Sequence, residues 1–232
     1  MTGSAVIIGA SGGIGAALEA ALTEEGTFTN ISGFARSRTG DQHIDLLDES
    51  SIAAAAGRVA ARAAPTLIVV ATGLLHEGDR GPEKALRDLD PAWLARSFAI
   101  NAIGPALVAK HFLPIMPRAG RSVFAALSAR VGSISDNRLG GWHGYRAAKA
   151  ALNQLIRTLA IEERRRNSSS IVVGLHPGTV DTGLSQPFQG NVPAGQLFKP
   201  DRAAVQLLDV LDGLRPPDSG KLFGWDGAEI SP

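Results

Sequence analysis

Short apolar runs alternate along the chain with longer stretches whose apolar residues recur at helical spacing. The runs predict strands at Ala5–Gly9, Asn30–Ala35, His43–Leu46, Leu67–Ala71, Ser122–Leu127, Ser170–Leu175 and Lys221–Gly224. The periodic stretches predict helices at Ile14–Glu25, Ser50–Ala63, Pro91–Met116, Tyr145–Arg165 and Pro200–Leu214. Several strands are almost wholly apolar, as expected where helices cover both faces of a sheet. The alternation predicts an α/β fold with a doubly wound, mostly parallel sheet of about seven strands and helices on both faces. No internal repeat or long Gly/Ser/Pro linker divides residues 1–232, so one domain is expected.

Two segments fit this pattern poorly. From Arg36 to Gln42 there is too little chain for a crossover helix, because parallel strands usually need about a dozen connecting residues. His43–Leu46 therefore sits awkwardly as a parallel strand. Residues 182–199 hold Gly, Pro, Phe and Gln without clear periodicity and predict a long substrate loop, as lids often are. Within it Leu184, Phe188, Leu197 and Phe198 suggest an apolar pocket.

Composition narrows the partners. The formal net charge is +1, and no basic stripe interleaved with aromatics points to nucleic acid. The run Arg164–Arg166 closes a predicted helix, where cations favour the dipole. No apolar stretch reaches about 18 residues, so no membrane span is expected. Met1–Ser4 leads straight into a strand and lacks the character of a signal peptide. Cysteine is absent, which excludes disulfides and thiol chemistry and suits a cytoplasmic location.

The first strand runs into Gly9-Ala-Ser-Gly-Gly-Ile-Gly15 and then an Ala/Leu-rich helix. Such a turn brings backbone N–H groups and a helix N-terminus against a diphosphate. Gly9, Ser11, Gly12, Gly13, Ile14 and Gly15 form this candidate cradle. After the second strand the chain carries Arg36, Ser37 and Arg38 and no carboxylate. Arginine accommodates a ribose 2′-phosphate, where an acidic residue would bind the 2′-hydroxyl. NADP(H) is therefore expected before NAD(H).

Tyr145, the single tyrosine, precedes Lys149 by one helical turn, so both lie on one helix face. A nearby ammonium favours phenolate and lowers a phenol pKa. Gly9-x-x-x-Gly13-x-Gly15, Asn101, Tyr145-x-x-x-Lys149 and His176-Pro-Gly178 follow in order across nearly the whole chain. In this the sequence resembles the short-chain dehydrogenase/reductase family and its Rossmann-type fold. Val131–Asn137, Gly140-Gly-Trp142 and Gly224–Ile230 resemble its C-factor-like members.

The resemblance implies roles. Tyr145 would protonate a substrate carbonyl while NADPH delivers hydride. Lys149 would lower the tyrosine pKa and hold the nicotinamide ribose. Asn101 would kink its helix and anchor a water relay. Asp45 and Leu46 would lie near the adenine, and Ala71 and Gly73 in its pocket. Pro177, Gly178, Val180 and Thr182 would contact carboxamide and phosphates. A homodimer or homotetramer would form through the helices at Pro91–Met116 and Tyr145–Arg165, whose Ala and Leu exceed one core face. The substrate would be a small carbonyl or alcohol.

The chain departs from the family at one position. A serine usually lies three residues before the glycine closing the fifth strand; here that glycine is Gly132 and the position is Ala129. Ser128, Ser133 or neither takes the role, and a short bulge after Leu127 would turn Ser128 inward. The rival reading is a dinucleotide-binding regulator with little turnover.

Overall fold

The computed structural model describes residues 3–232. Met1 and Thr2, the start of the segment read against a signal peptide, lie outside the described residues. Strands β1 (Ser4–Ile8), β2 (Asn30–Phe34), β3 (Pro65–Val70), β4 (Ser122–Leu127) and β5 (Ser170–His176) alternate with helices α1 (Gly13–Glu25), α2 (Glu49–Ala60), α3 (Pro91–Phe98), α4 (Gly104–Phe112) and α5 (His143–Arg166). Short β6 (Thr179–Val180) and β7 (Leu197–Phe198) precede α6 (Pro200–Gly213), β8 (Leu222–Gly224) and β9 (Glu229–Ile230).

The main sheet has the order β2-β1-β3-β4-β5-β8-β9. It is parallel except for the antiparallel β8–β9 pair. All five residues of β1 are buried, and they divide by parity. Ala5 and Ile7 pack with Leu18 and Leu22 of α1 and Leu207 and Leu211 of α6. Val6 and Ile8 pack with Ile52 of α2, Phe112 of α4 and Ile156 of α5. Each fully buried Leu or Ile contributes roughly 1.5–3 kcal/mol. The chain leaves β1 on one side for β2 and returns on the other for β3. In such sheets a ligand crevice opens at that reversal, beyond the strands' carboxyl ends.

Three expectations are corrected. His43–Leu46 is not a strand: only the bridge between Ala35 and His43 forms, because the seven-residue link leaves no room for a crossover. The seventh place in the sheet belongs to β9. The helix expected at Pro91–Met116 is broken into α3, a π-helical turn at Ala99–Ile103, and α4. Pro91–Ile115 is also long and apolar enough to cross a membrane by length and composition. It instead lays Trp93, Ala102, Val108, Ala109 and Phe112 into buried positions of this fold.

The loop after β6 is more ordered than its composition suggests. β6 and β7 pair in parallel, and a 3-10 helix spans Gln186–Asn191. Gln189 donates to Asp181 Oδ1 at 2.9 Å.

Candidate active site

The glycine-rich turn links β1 to α1. Gly9 has φ +95° and donates its N–H to Phe34 O at 2.8 Å. That left-handed backbone strains any side chain, and a Cβ there would lie 2.9 Å from Ala71 O. A Cβ on Gly15 would lie 2.2 Å from Gly9 O, so the helix can start this close to the turn only with glycine. α1 has neither a side-chain cap nor an acidic residue in its first turn. Its first N–H groups and positive dipole end are thus left for an anion. Thr182 closes over this end, with its Cγ2 2.6 Å from where a Cβ of Gly13 would stand.

Two cavities flank that helix N-terminus. The first, of about 310 Å³, is lined by Gly9, Ser11, Gly12, Arg36, Ser37, Asp45, Leu46, Ala71 and Gly73. Thr72 lines it too, and its buried Oγ1 has no hydrogen-bond partner among the described residues. The second, of about 220 Å³, is lined by Ile14, Ser128, Ala129, Tyr145, Pro177, Gly178, Val180 and Thr182. Leu75, Trp142, Leu184 and Phe188 give it an apolar wall.

Arg38 does not join this site. Its guanidinium forks onto Glu19 of α1, with Nη1 3.0 Å from Oε1, and Nη1 also donates to Gly33 O at 2.7 Å. The charge is matched within the fold, and the guanidinium pKa is raised first by the Glu19 hydrogen bond. Arg36 and Ser37 remain on the cavity wall. Asp45 Oδ1 accepts from Leu47 N at 2.9 Å. Glu77, unremarked in the sequence, also lines this cavity, held by Arg96 at 2.9 Å.

Asn101 is fully buried in the π-helical turn. Its Oδ1 accepts from Leu74 N at 3.0 Å, and its Nδ2 donates to Leu74 O at 2.8 Å. The amide thus stitches the broken helix to the segment after β3.

Tyr145 and Lys149 are both buried on α5, with Nζ 5.7 Å from the phenol ring centre. Lys149 Nζ donates to Leu127 O at 2.8 Å. Burial pushes the Lys149 ammonium down to about 7 and pushes the Tyr145 phenol up. This corrects the expected lowering of the phenol: desolvation governs both groups, and the ammonium faces a carbonyl.

The bulge expected after Leu127 is also corrected. No bulge follows Leu127: Ser128 N continues the ladder onto Leu175 O at 2.8 Å. Ser128 lines the cavity, but its Oγ donates to Asn153 Oδ1 at 2.6 Å. Ser133 is buried among Ser135 and Asp136 instead. Ala129 is the residue that packs with Tyr145. Of the loop residues, Leu184 and Phe188 line the cavity. Phe198 meets Trp225 edge-on at 4.7 Å, and Leu197 is exposed.

His176 was legible only as part of a motif. It lines the second cavity, and its Nδ1 has no hydrogen-bond partner among the described residues. Burial, then the positive Arg130, pushes its imidazole down to about 4.

A family model described as enoyl-(acyl carrier protein) reductase matches residues 9–204, most of the chain. The chain belongs to the short-chain dehydrogenase/reductase family. It is accordingly an NAD(P)-dependent oxidoreductase acting on small molecules. It is 38% identical over 146 residues to the C-signal of Myxococcus xanthus, covering 63% of this chain and 82% of that one. It is 26% identical over 230 residues to 1-hydroxy-2-glutathionyl-2-methyl-3-butene dehydrogenase of a Rhodococcus species, covering 96% of each. In fold it is similar to NADPH-bound carbonyl reductase from chicken fatty liver, with TM-score 0.82, 23% identity and coverage of 99% and 94%. The carbonyl reductase Sniffer of D. melanogaster aligns with TM-score 0.81 and 19% identity over 100% of both chains.

Proposed function

We propose that this protein reduces a small carbonyl compound with NADPH and runs the reverse oxidation on the alcohol. The observation that carries this reading is Tyr145, a buried phenol at the wall of an apolar cavity beside a glycine-built helix N-terminus. NADP(H) fits the residues present: the Gly9 turn has no room for a Cβ, Thr72 Oγ1 is buried without a partner among the described residues, and Arg36 and Ser37 line the same cavity. When bound, the nicotinamide supplies or accepts the hydride. Arg36 would hold the 2′-phosphate, and the first N–H groups of α1 would hold the diphosphate. Asp45, Leu46, Ala71 and Gly73 would border the adenosine, and Pro177, Gly178, Val180 and Thr182 the nicotinamide end.

Tyr145 gives its proton to the substrate carbonyl oxygen and recovers it from the alcohol in the reverse direction. Burial keeps the phenol protonated, as a donor must be before reduction, and the same upward shift makes it a weaker acid than a free phenol. Lys149, held on Leu127 O, lies beside the phenol ring, and Asn101 holds the segment after β3 against the broken helix. Leu75, Trp142, Leu184 and Phe188 exclude water from the carbonyl. The test follows NADPH oxidation against ketones, aldehydes and quinones, with NADPH binding measured in parallel. Turnover of at least one class is expected, and binding without turnover of any class contradicts the reading.

That contrary result would favour a dinucleotide-binding signalling protein. The likeness to C-signal and the alanine at position 129 support this second reading.

The half-exposed Ile103 and Ile161, on the same helical layer, extend the proposal to a homodimer or homotetramer. A monomeric mass by light scattering at micromolar concentration contradicts that assembly.

A further inference from the structure

Glu83, on the loop between β3 and α3, is a carboxylate at only 2% exposure. Among the described residues it has no arginine or lysine partner. Instead Oε2 accepts from Gly144 N at 3.0 Å, across 61 residues of sequence. Its own backbone carbonyl accepts from Trp142 N. Oε1 is buried without a partner among the described residues.

These contacts fall where α5 begins. Gly140, Gly141 and Trp142 lead into it with φ of 64°, 65° and 51°, and Trp142 is the one non-glycine positive-φ residue among those described. In that conformation the Trp142 side chain makes no capping hydrogen bond. The orphan N–H groups of a helix start need an acceptor, and a carboxylate also suits the positive dipole end. A Cβ on Gly144 would meet Glu83 Oε1 at 2.8 Å, so glycine there lets the carboxylate reach the backbone. Tyr145 is the next residue. The Trp142 ring meets the Tyr145 ring edge-on at 6.3 Å and the Phe188 ring at 5.1 Å.

We propose that Glu83 is a positioning residue that caps the helix carrying Tyr145 from a distant loop and thereby sets where the phenol and the Trp142–Phe188 wall stand. The proposal rests on the reading of Tyr145 as the proton donor. Loss of the carboxylate leaves Gly144 N unpaired at the start of the helix, while the backbone bond from Trp142 N to Glu83 O remains. The phenol then shifts relative to the cavity, and misplacement on the ångström scale costs rate steeply.

The chain contains a single tyrosine, so the ζ-carbon NMR signal of ring-labelled tyrosine reports Tyr145 alone. Glu83→Ala is expected to move that signal and to lower kcat on the order of ten- to a hundredfold, with KM for NADPH held. Glu83→Gln keeps an acceptor oxygen and is expected to restore both. Glu83→Asp falls short of Gly144 by one methylene and is expected to behave as the alanine variant, which decides the matter if Glu83→Ala does not fold. A lower melting temperature with the tyrosine signal and kcat unchanged in the folded Ala or Asp variant overturns the proposal. So does a displaced signal in Glu83→Gln. If the protein reduces no carbonyl at all, the signal still tests the cap, whereas activity retained in Tyr145→Phe would fail the proton-donor reading alone.

Discussion

Ser128 donates its hydroxyl to Asn153 Oδ1 at 2.6 Å, so the side chain packed with Tyr145 is the methyl of Ala129. The hydroxyl that would polarise a carbonyl beside the phenol is therefore tied to α5. One donor aimed at the reacting oxygen is worth about 3 kcal/mol, or roughly a hundredfold in rate. Ala129→Ser is expected to raise kcat by up to that factor. Ser128→Ala is expected to leave kcat per folded molecule unchanged but to lower stability by about 1 kcal/mol, because Asn153 loses its partner at a part-buried site. Kinetics and urea unfolding of the two variants check this pair of outcomes. A large kcat loss in Ser128→Ala would return Ser128 to the chemistry.

Arg36 and Arg38 are expected to separate cleanly. Arg36→Ala should weaken NADPH by about 2 kcal/mol and leave NADH unchanged, since it removes one charge-assisted contact. Arg38→Ala should leave the ratio of the two affinities unchanged and instead destabilise the fold by about 1–2 kcal/mol, through loss of Glu19 and Gly33 O at a partly exposed site. Titration of both dinucleotides at matched salt reads the first effect, and denaturant midpoints the second. Equal loss of NADPH selectivity in both variants contradicts the assignment.

Lys149 makes stability depend on pH. Its folded pKa of about 7 lies below the 10.5 of an ordinary lysine. Between those values the unfolded chain holds the proton that the folded chain has released, so stability rises with pH across that window. The slope from one such group is at most about 1.4 kcal/mol per pH unit. Unfolding midpoints at neutral and mildly alkaline pH should therefore rise in the parent protein, and the rise should shrink in Lys149→Met. An identical slope in the variant contradicts burial as the cause.

The parts of the molecule that local pattern dictates were legible in the sequence. A β1 that is apolar after Ser4, a glycine turn and an Ala/Leu-rich α1 agree at every level, and each lies where expected. The break around Asn101 came from family likeness and not from periodicity, which runs unbroken through Pro91–Met116. What stayed hidden was set by long-range partners. Arg38 reads as a phosphate ligand until Glu19, on the neighbouring helix, is seen to hold it. Ser128 reads as free until Asn153 arrives from α5. Glu83 reads as one more solvated loop charge, and only tertiary structure brings it to Gly144. His43–Leu46 has strand-like residues, but its short link to β2 permits no more than a bridge.

The central claim is that Tyr145 is the proton donor of a carbonyl reduction. Its most direct test is Tyr145→Phe, which removes one hydroxyl and leaves the ring against Trp142 and Ala129 in place. On a carbonyl substrate that the parent protein reduces, the account predicts that turnover is abolished while NADPH affinity is retained; substantial turnover in the Tyr145→Phe protein would contradict it.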